Sequence, residues 1–171
     1  MKYQQGKITW LNANLEELKP ELLFDAIILA EIIEHCAWPE NVVRRALQHL
    51  KPSGILIVTT PNAEKIREHL PTFSAFIDIE KRKELEKMQF GPNGEDHLFL
   101  FTMKEMVGLK PPEARVIDRG YLGGTLMLNS WTHHIFRLLP LKLYRRFIRG
   151  LAHLPLIDRY TFHNIYMVIQ K

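Results

Sequence analysis

Three side chains that could do chemistry stand close together in the stretch AEIIEH, residues 30–35. Glu31, Glu34 and His35 are spaced i, i+3 and i+4, so on one turn of helix they would share a face and converge on one point. Two carboxylates and an imidazole suit Mg²⁺, Mn²⁺ or Fe²⁺ better than they suit a thiolate-preferring metal. The stretch therefore predicts a polar site that can hold a divalent metal.

The elements around this stretch place it at the carboxyl end of a strand in a sheet. The run FDAIILA (24–30) is short, continuous and apolar, which is typical of a strand buried on both faces. A helix is predicted after Pro39, and a second buried strand at 55–60. The order strand, helix, strand predicts a parallel pair flanked by helices, so that AEIIEH lies where open α/β sheets bind ligands.

The second strand ends at the same edge. Thr60, Pro61 and Asn62 follow it directly, and we predict that they contact a substrate. The alternative is that these three residues only form a turn. Cys36 is the single cysteine, and no oxyanion apparatus accompanies it, so we expect a buried structural thiol rather than a nucleophile.

Composition sets the broad class of the protein. The 171 residues are 46% hydrophobic and 25% charged, which predicts one globular domain over 1–171. The formal charge of +4 keeps RNA open as a substrate without arguing for it. A single cysteine and the absence of a signal peptide or a long apolar run predict a cytoplasmic location.

The second half of the chain predicts helices and two more strands. A charged helix is expected at 78–89, a short helix capped by Thr102 and Glu105, and strands at 113–122 and near the C-terminus. Between those strands we predict a helical cover, 126–158, with several arginines. Its basic face could contact a membrane surface or RNA, although such helices more often pack on the sheet.

Several of these pieces together resemble a known superfamily. The stretches FDAIILAEIIEH, NVVRRALQHLKPSGILIVTTPN and DHLFLFTMKEM (96–106) resemble, in order and spacing, the C-terminal portion of class I S-adenosylmethionine-dependent methyltransferases. The resemblance covers roughly residues 7–125. It implies a partial Rossmann-like α/β fold, S-adenosylmethionine as cofactor, and methyl transfer to a small-molecule or lipid-like acceptor.

The cofactor half of that pattern is missing from the sequence. The superfamily uses a glycine-rich turn after its first strand and an acid after its second, and here Gly6 is the only early glycine. If 7–11 is the family's third strand, the first two βα units are absent. We then expect a truncated domain with an exposed apolar edge on strand 24–30, open to an upstream partner segment or a second copy.

The resemblance also assigns roles to single residues. Asn14 occupies the position where the family usually has an acid that contacts the adenine, with a simple turn residue as the alternative. Leu15, Ala30 and Glu31 are implied as further cofactor contacts. His97 is implied as a fourth residue beside Glu31, Glu34 and His35, whether as a catalytic group or as a metal ligand.

Alternatives remain open for this pattern. It resembles the metal site of small-RNA 2′-O-methyltransferases and also the ubiquinone-type O-methyltransferases, while many metal-free members carry the same EH pair. The competing hypotheses are a metal-dependent RNA 2′-O-methyltransferase and a non-catalytic remnant that acts as an interaction module.

Overall fold

The computed structural model describes residues 15–66, 70–88, 97–122 and 162–171, together with 140, 142, 143, 146 and 150. The strands are β1 (Phe24–Ala30), β2 (Leu50–Pro61), β3 (Arg115–Leu122) and β4 (Asn164–Gln170), and the α-helices are α1 (Pro39–Gln48), α2 (Ile79–Met88) and α3 (Met103–Gly108). Short 3₁₀ turns cover Leu15–Glu17, Ile33–His35 and Phe73–Phe76. The strand predicted at 7–11 and most of the predicted cover 126–158 lie outside the described residues.

The four strands form one mixed sheet in the order β1-β2-β4-β3. β1 and β2 run parallel, as the strand–helix–strand order predicts, and β4 is antiparallel to both β2 and β3. The predicted α/β class is therefore confirmed. The parallel pair brings the carboxyl ends of β1 and β2 together, with Ala30 opposite Thr59.

The stretch KPSG, which lies between the predicted helix and the strand predicted at 55–60, is part of β2 in the structure. The pairing jumps from Phe24 opposite Leu50 to Ala26 opposite Ile55, so the extra residues bulge out of the ladder. Ser53 takes a φ of 63° in this bulge. A bulge absorbs the turn residues without ending the strand, which explains why β2 begins earlier than the predicted 55.

Helix α1 buries the apolar face that its sequence predicts. Val43, Ala46 and Leu47 are buried, and Pro39 occupies the first turn, where no backbone N–H is needed. This face packs on one side of the sheet, whose inward residues form the core together with Phe99, Phe101 and Met106. The inward sheet residues are Leu29, Leu56, Val58, Ile165, Met167 and Ile169.

The other face of β1 is not buried, and the prediction of a strand buried on both faces is wrong. Leu29 is 6% exposed on the α1 side, whereas Ile28 on the opposite side is 63% exposed. Within the described part of the chain β1 pairs with β2 alone, and Phe24 is also exposed. An apolar run signals that a strand has apolar faces, but it cannot show that the chain supplies a layer for each.

The two later helices follow their sequence signals. Thr102 and Glu105 form the predicted capping box at the start of α3, each satisfying a backbone N–H of the other. α2 is solvated along most of its length, with Arg82 and Leu85 as its buried residues. None of the helices in the described residues is long and apolar enough to cross a membrane.

Candidate functional site

Glu31 lies at a sharp turn directly after β1. Its φ of 52° is in the left-handed region, and its backbone N–H donates to the carbonyl of Thr59 at 3.1 Å. The Thr59 hydroxyl donates to Glu31 Oε1 at 2.7 Å. Because the 3₁₀ turn begins only at Ile33, Glu31 does not share a helical face with Glu34 and His35, contrary to the spacing argument.

Three of the four predicted residues do come together. Ligand atoms of Glu34, His35 and His97 all lie within 4.8 Å of one another. The imidazole rings of His35 and His97 meet edge to face, with centroids 4.9 Å apart. The segment after His97 is fixed to this turn because Leu98 N donates to the carbonyl of Glu34 at 2.9 Å.

Glu34 is the buried member of this cluster. Its side chain is 0% exposed, and Thr60 Oγ1 donates to its Oε2 at 2.9 Å. Oε1 is buried as well and has no hydrogen-bond partner among the residues that the structure describes. Burial raises the pKa of Glu34 to about 7, further helped by the negative charge of Glu31 and opposed by hydrogen bonds from Thr60 and the backbone. The carboxyl can therefore exchange a proton near neutral pH.

The three residues predicted to contact substrate are held inside the protein. Thr60, Pro61 and Asn62 are all buried, and the Asn62 amide donates to the carbonyl of Phe162 and accepts from Glu64 N. Thr60 donates to Glu34 and so positions its carboxyl, a role that was not predicted from the sequence. The signal available in the sequence was the pair Thr59 and Thr60 at the end of the second strand, which parallel pairing places beside the end of β1 and the glutamates that follow it. Contact of these residues with a substrate stays a prediction.

The predicted cofactor residues are only partly described. Asn14 lies outside the described residues, and Leu15 packs against the core from its 3₁₀ turn. Ala30 is exposed and Glu31 half-buried at the end of β1. These last two residues form a rim beside the cluster, and their contact with a cofactor stays a prediction.

Cys36 has the properties of a structural thiol. It is half-buried, and its Sγ donates to the carbonyl of Ile32 at 3.3 Å. Burial, reinforced by the charge of Glu34, raises the pKa of the thiol to about 11. A thiol of this kind is a poor nucleophile because little thiolate forms near neutral pH.

Comparison with known proteins identifies the family. Residues 3–109 match the family described as a methyltransferase domain. This match covers more than half of the 171 residues, so the chain belongs to the methyltransferase domain family.

The curated relatives match over a shorter segment. A ubiquinone biosynthesis O-methyltransferase of Rickettsia prowazekii is 42% identical over 59 residues, which cover 34% of this chain and 23% of that protein. The corresponding protein of Rickettsia canadensis is 41% identical over 59 residues, covering 34% and 25%. The chain thus spans about a quarter of the length of these relatives.

Solved structures share the fold at low identity. A protein of Bacillus halodurans described as a methyltransferase superposes with a TM-score of 0.51 at 13% identity, covering 96% of this chain and 78% of that one. The [4+2]-cyclase SpnF superposes with a TM-score of 0.50 at 14% identity, covering 93% and 54%. A cyclase with this fold shows that the fold alone does not decide the reaction.

Proposed function

We propose that this chain forms the acceptor side of an S-adenosylmethionine-dependent methyltransferase site in a cytoplasmic protein, acting on a small-molecule or lipid-like hydroxyl compound. The observation that carries the proposal is the cluster of Glu34, His35 and His97 at the carboxyl ends of a parallel strand pair. Membership of the methyltransferase domain family and the relatives named ubiquinone biosynthesis O-methyltransferase support it.

The described residues fit one end of the cofactor. Ala30 and Glu31 would line its methyl end, and the cofactor, when bound, supplies a methyl group on a sulfonium centre. Before β1, where the family has its glycine-rich turn for the remainder of that ligand, the sequence holds Gly6 alone.

His35 and His97 are the half-buried members of the cluster, so an acceptor can reach their rings. An imidazole can take the proton of an acceptor hydroxyl as that oxygen attacks. Glu34 lies behind the rings and, when ionised, stabilises a protonated imidazole beside it. Thr60 fixes the Glu34 carboxyl through the 2.9 Å hydrogen bond, which keeps the three groups in reach of one another.

Titration calorimetry with S-adenosylmethionine tests the cofactor part of this proposal. We expect binding that weakens severalfold in Glu31→Ala, because that residue forms the rim. Glu84→Ala changes an exposed glutamate on α2 and should bind as the wild type does. No binding by the wild-type chain, measured together with an intact circular dichroism spectrum, would contradict the proposal for this chain.

A metal-dependent variant of the same function, including the RNA 2′-O-methyltransferase hypothesis, is favoured by a separate observation. The three ligand atoms lie within 4.8 Å of one another, and within the described part of the chain Glu34 Oε1 is buried without a hydrogen-bond partner. One carboxylate oxygen and two imidazoles are a donor set that suits Mn²⁺ or Fe²⁺.

Titration with MnCl₂ distinguishes a metal-dependent site from a metal-free one. A metal site should lose affinity by at least about tenfold in His97→Ala, as expected when one of three ligands is removed. Glu31→Ala should leave the affinity unchanged, because Glu31 is outside the cluster. Equal, weak binding by all three proteins would exclude the metal-dependent variant.

An interaction module is the third possibility, and the exposed face of β1 favours it. Ile28 is 63% exposed beside exposed Phe24. Exposed apolar strands invite pairing with another chain. Sedimentation velocity of the wild type and of Ile28→Lys would reveal it, since self-association through this face should be lost in the variant.

A further inference from the structure

Arg82 is an unusual residue for its helix. The remaining charged residues of α2 are exposed, whereas Arg82 is 9% exposed. A buried guanidinium needs its charge and its donors satisfied, so its partners show what it holds together.

The partners of Arg82 come from two segments other than its own helix. Its guanidinium lies over the ring of Trp38 at 5.2 Å and over the ring of Phe73 at 4.7 Å. It forms an ion pair with Glu40, in the first turn of α1, and its Nε donates to the carbonyl of Phe76 at 2.6 Å. One side chain therefore joins α2, the start of α1 and the turn at 73–76.

Two of these partners lead directly to the histidines of the site. Trp38 stands three residues after His35, in the same short connection before α1. Phe73 packs against Phe99, two residues after His97, with ring centroids 5.2 Å apart. The Phe73 N–H also donates to the carbonyl of Leu100 at 3.0 Å, so the turn at 73–76 is bound to the His97 segment by its backbone.

We propose that Arg82 is a positioning residue that, together with the backbone bond between Leu98 and Glu34, sets the separation of His35 and His97. The proposal rests on the proposed function, in which these two rings face the acceptor. Arg82 contacts Trp38 and Glu40 on the His35 side of the histidine pair. On the His97 side it contacts Phe73 and Phe76. A planar guanidinium can stack on two rings and donate at its edge at the same time, which the point charge of a lysine cannot do.

The test measures the ring pair itself, by the nuclear Overhauser effect between the imidazole protons of His35 and His97 in histidine-labelled protein. We expect this cross-peak to be present in the wild type, absent in Arg82→Ala and weakened in Arg82→Lys. Lys83→Ala, at an exposed position on the same helix, should keep the wild-type cross-peak. Amide shifts of β2 and β4 should be unchanged in all of them, which separates repositioning from general loosening.

An undiminished cross-peak in folded Arg82→Ala would overturn the proposal. If Arg82→Ala does not fold, Arg82→Met decides the matter, because its apolar side chain still fills the space between the rings but makes neither the ion pair nor the hydrogen bond. Loss of the cross-peak in Arg82→Met supports the role, and its retention refutes it. The measurement needs no cofactor, so a failed titration with S-adenosylmethionine would count against the proposed function and leave this result intact.

Discussion

At the scale of single residues, two threonine–glutamate pairs lie side by side with different surroundings. Thr59 donates to Glu31 at the rim, and Thr60 donates to fully buried Glu34. Burial is what separates the two glutamates, because removing a carboxylate from water penalises its charged form. Glu34 is therefore a residue through which pH should act on this protein.

The stability of the fold should fall as pH rises through neutrality. The folded-state pKa of Glu34, about 7, lies above its ordinary value of 4.5, so the folded protein binds this proton more tightly than the unfolded chain does. The stabilisation is complete below about pH 4.5 and is lost as pH rises through about 7, amounting to about 3 kcal/mol at most. Glu34→Gln removes the ionisation and should show a flatter profile between pH 5 and 8.

Urea unfolding at pH 5 and at pH 8, followed by circular dichroism, measures the free energy of unfolding of the wild type and of Glu34→Gln. The matched control is Glu84→Gln, at an exposed position on α2, which should keep the wild-type slope. Identical pH profiles for the wild type and Glu34→Gln would show that Glu34 does not titrate in this range.

Removing the hydroxyl of Thr60 should lower the free energy of unfolding more than removing that of Thr59. Thr60→Val removes the side-chain hydrogen bond of the buried Glu34 carboxylate and should cost about 1–3 kcal/mol at pH 8. Thr59→Val breaks a bond at the half-buried rim, where water can replace it, and should cost about 0.5 kcal/mol. Chemical denaturation of the two variants under one condition checks the order, and a larger loss in Thr59→Val would contradict the assigned burial.

At the scale of elements, the sheet shows how neighbouring strands constrain each other. Gly120 in β3 lies opposite Tyr166 in β4, and the tyrosine ring covers the glycine. The Tyr166 hydroxyl donates to Asp118 Oδ2 at 3.1 Å, which holds the ring in this place. The glycine in RVIDRGYL thus provides room for a side chain of the next strand.

Gly120→Ala should destabilise the sheet by about 1–3 kcal/mol, as overpacking does. The added Cβ would meet Tyr166 Cε1 at 2.8 Å, so the ring must move and give up its bond to Asp118. In a double-mutant cycle measured by thermal unfolding, the cost should largely vanish when Tyr166→Ala is already present. An additive pair would mean that the ring does not restrain position 120.

At the scale of the whole molecule, the two faces of β1 differ in how far they are covered. The face carrying Leu29 is covered by α1 and the segment 97–109, whereas Ile28 on the other face is 63% exposed. Adjacent residues of one apolar strand therefore contribute very differently to the stability of this chain.

Substitutions at these neighbours measure that difference. Leu29→Ala should cost about 2–4 kcal/mol because it opens a cavity in the core. Ile28→Thr keeps a β-branched side chain on an exposed face and should change stability by no more than about 0.5 kcal/mol. If Ile28→Thr costs as much as Leu29→Ala in urea unfolding, then another layer covers this face in solution.

Local patterns decided most of the fold. The bounds of β1 and the helices α1 and α2, the capping box at Thr102 and the strand at the C-terminus follow from apolar runs, helical periodicity and capping residues. These signals are readable because each rests on the backbone geometry of a few consecutive residues. The parallel pairing of β1 and β2 was predictable too, since the strand–helix–strand order leaves little choice of direction.

The candidate site was predictable only in part. The sequence brought Glu34 and His35 together, and the family resemblance added His97, but the position of Glu31 depends on a left-handed turn that its residue type does not announce. The role of Thr60 required the register between two strands. Arg82 offered no signal at all, because one basic residue among many on a charged helix looks solvated.

The sequence by itself determined the order of the elements and the residues available for chemistry, because both depend on local composition and spacing. Only the tertiary structure decided which polar groups meet, which face of the sheet is covered and which glutamate is buried. Those properties depend on the distances between segments far apart in the chain. They arise when Leu98 bonds to the turn at Glu34 and Arg82 packs between Trp38 and Phe73.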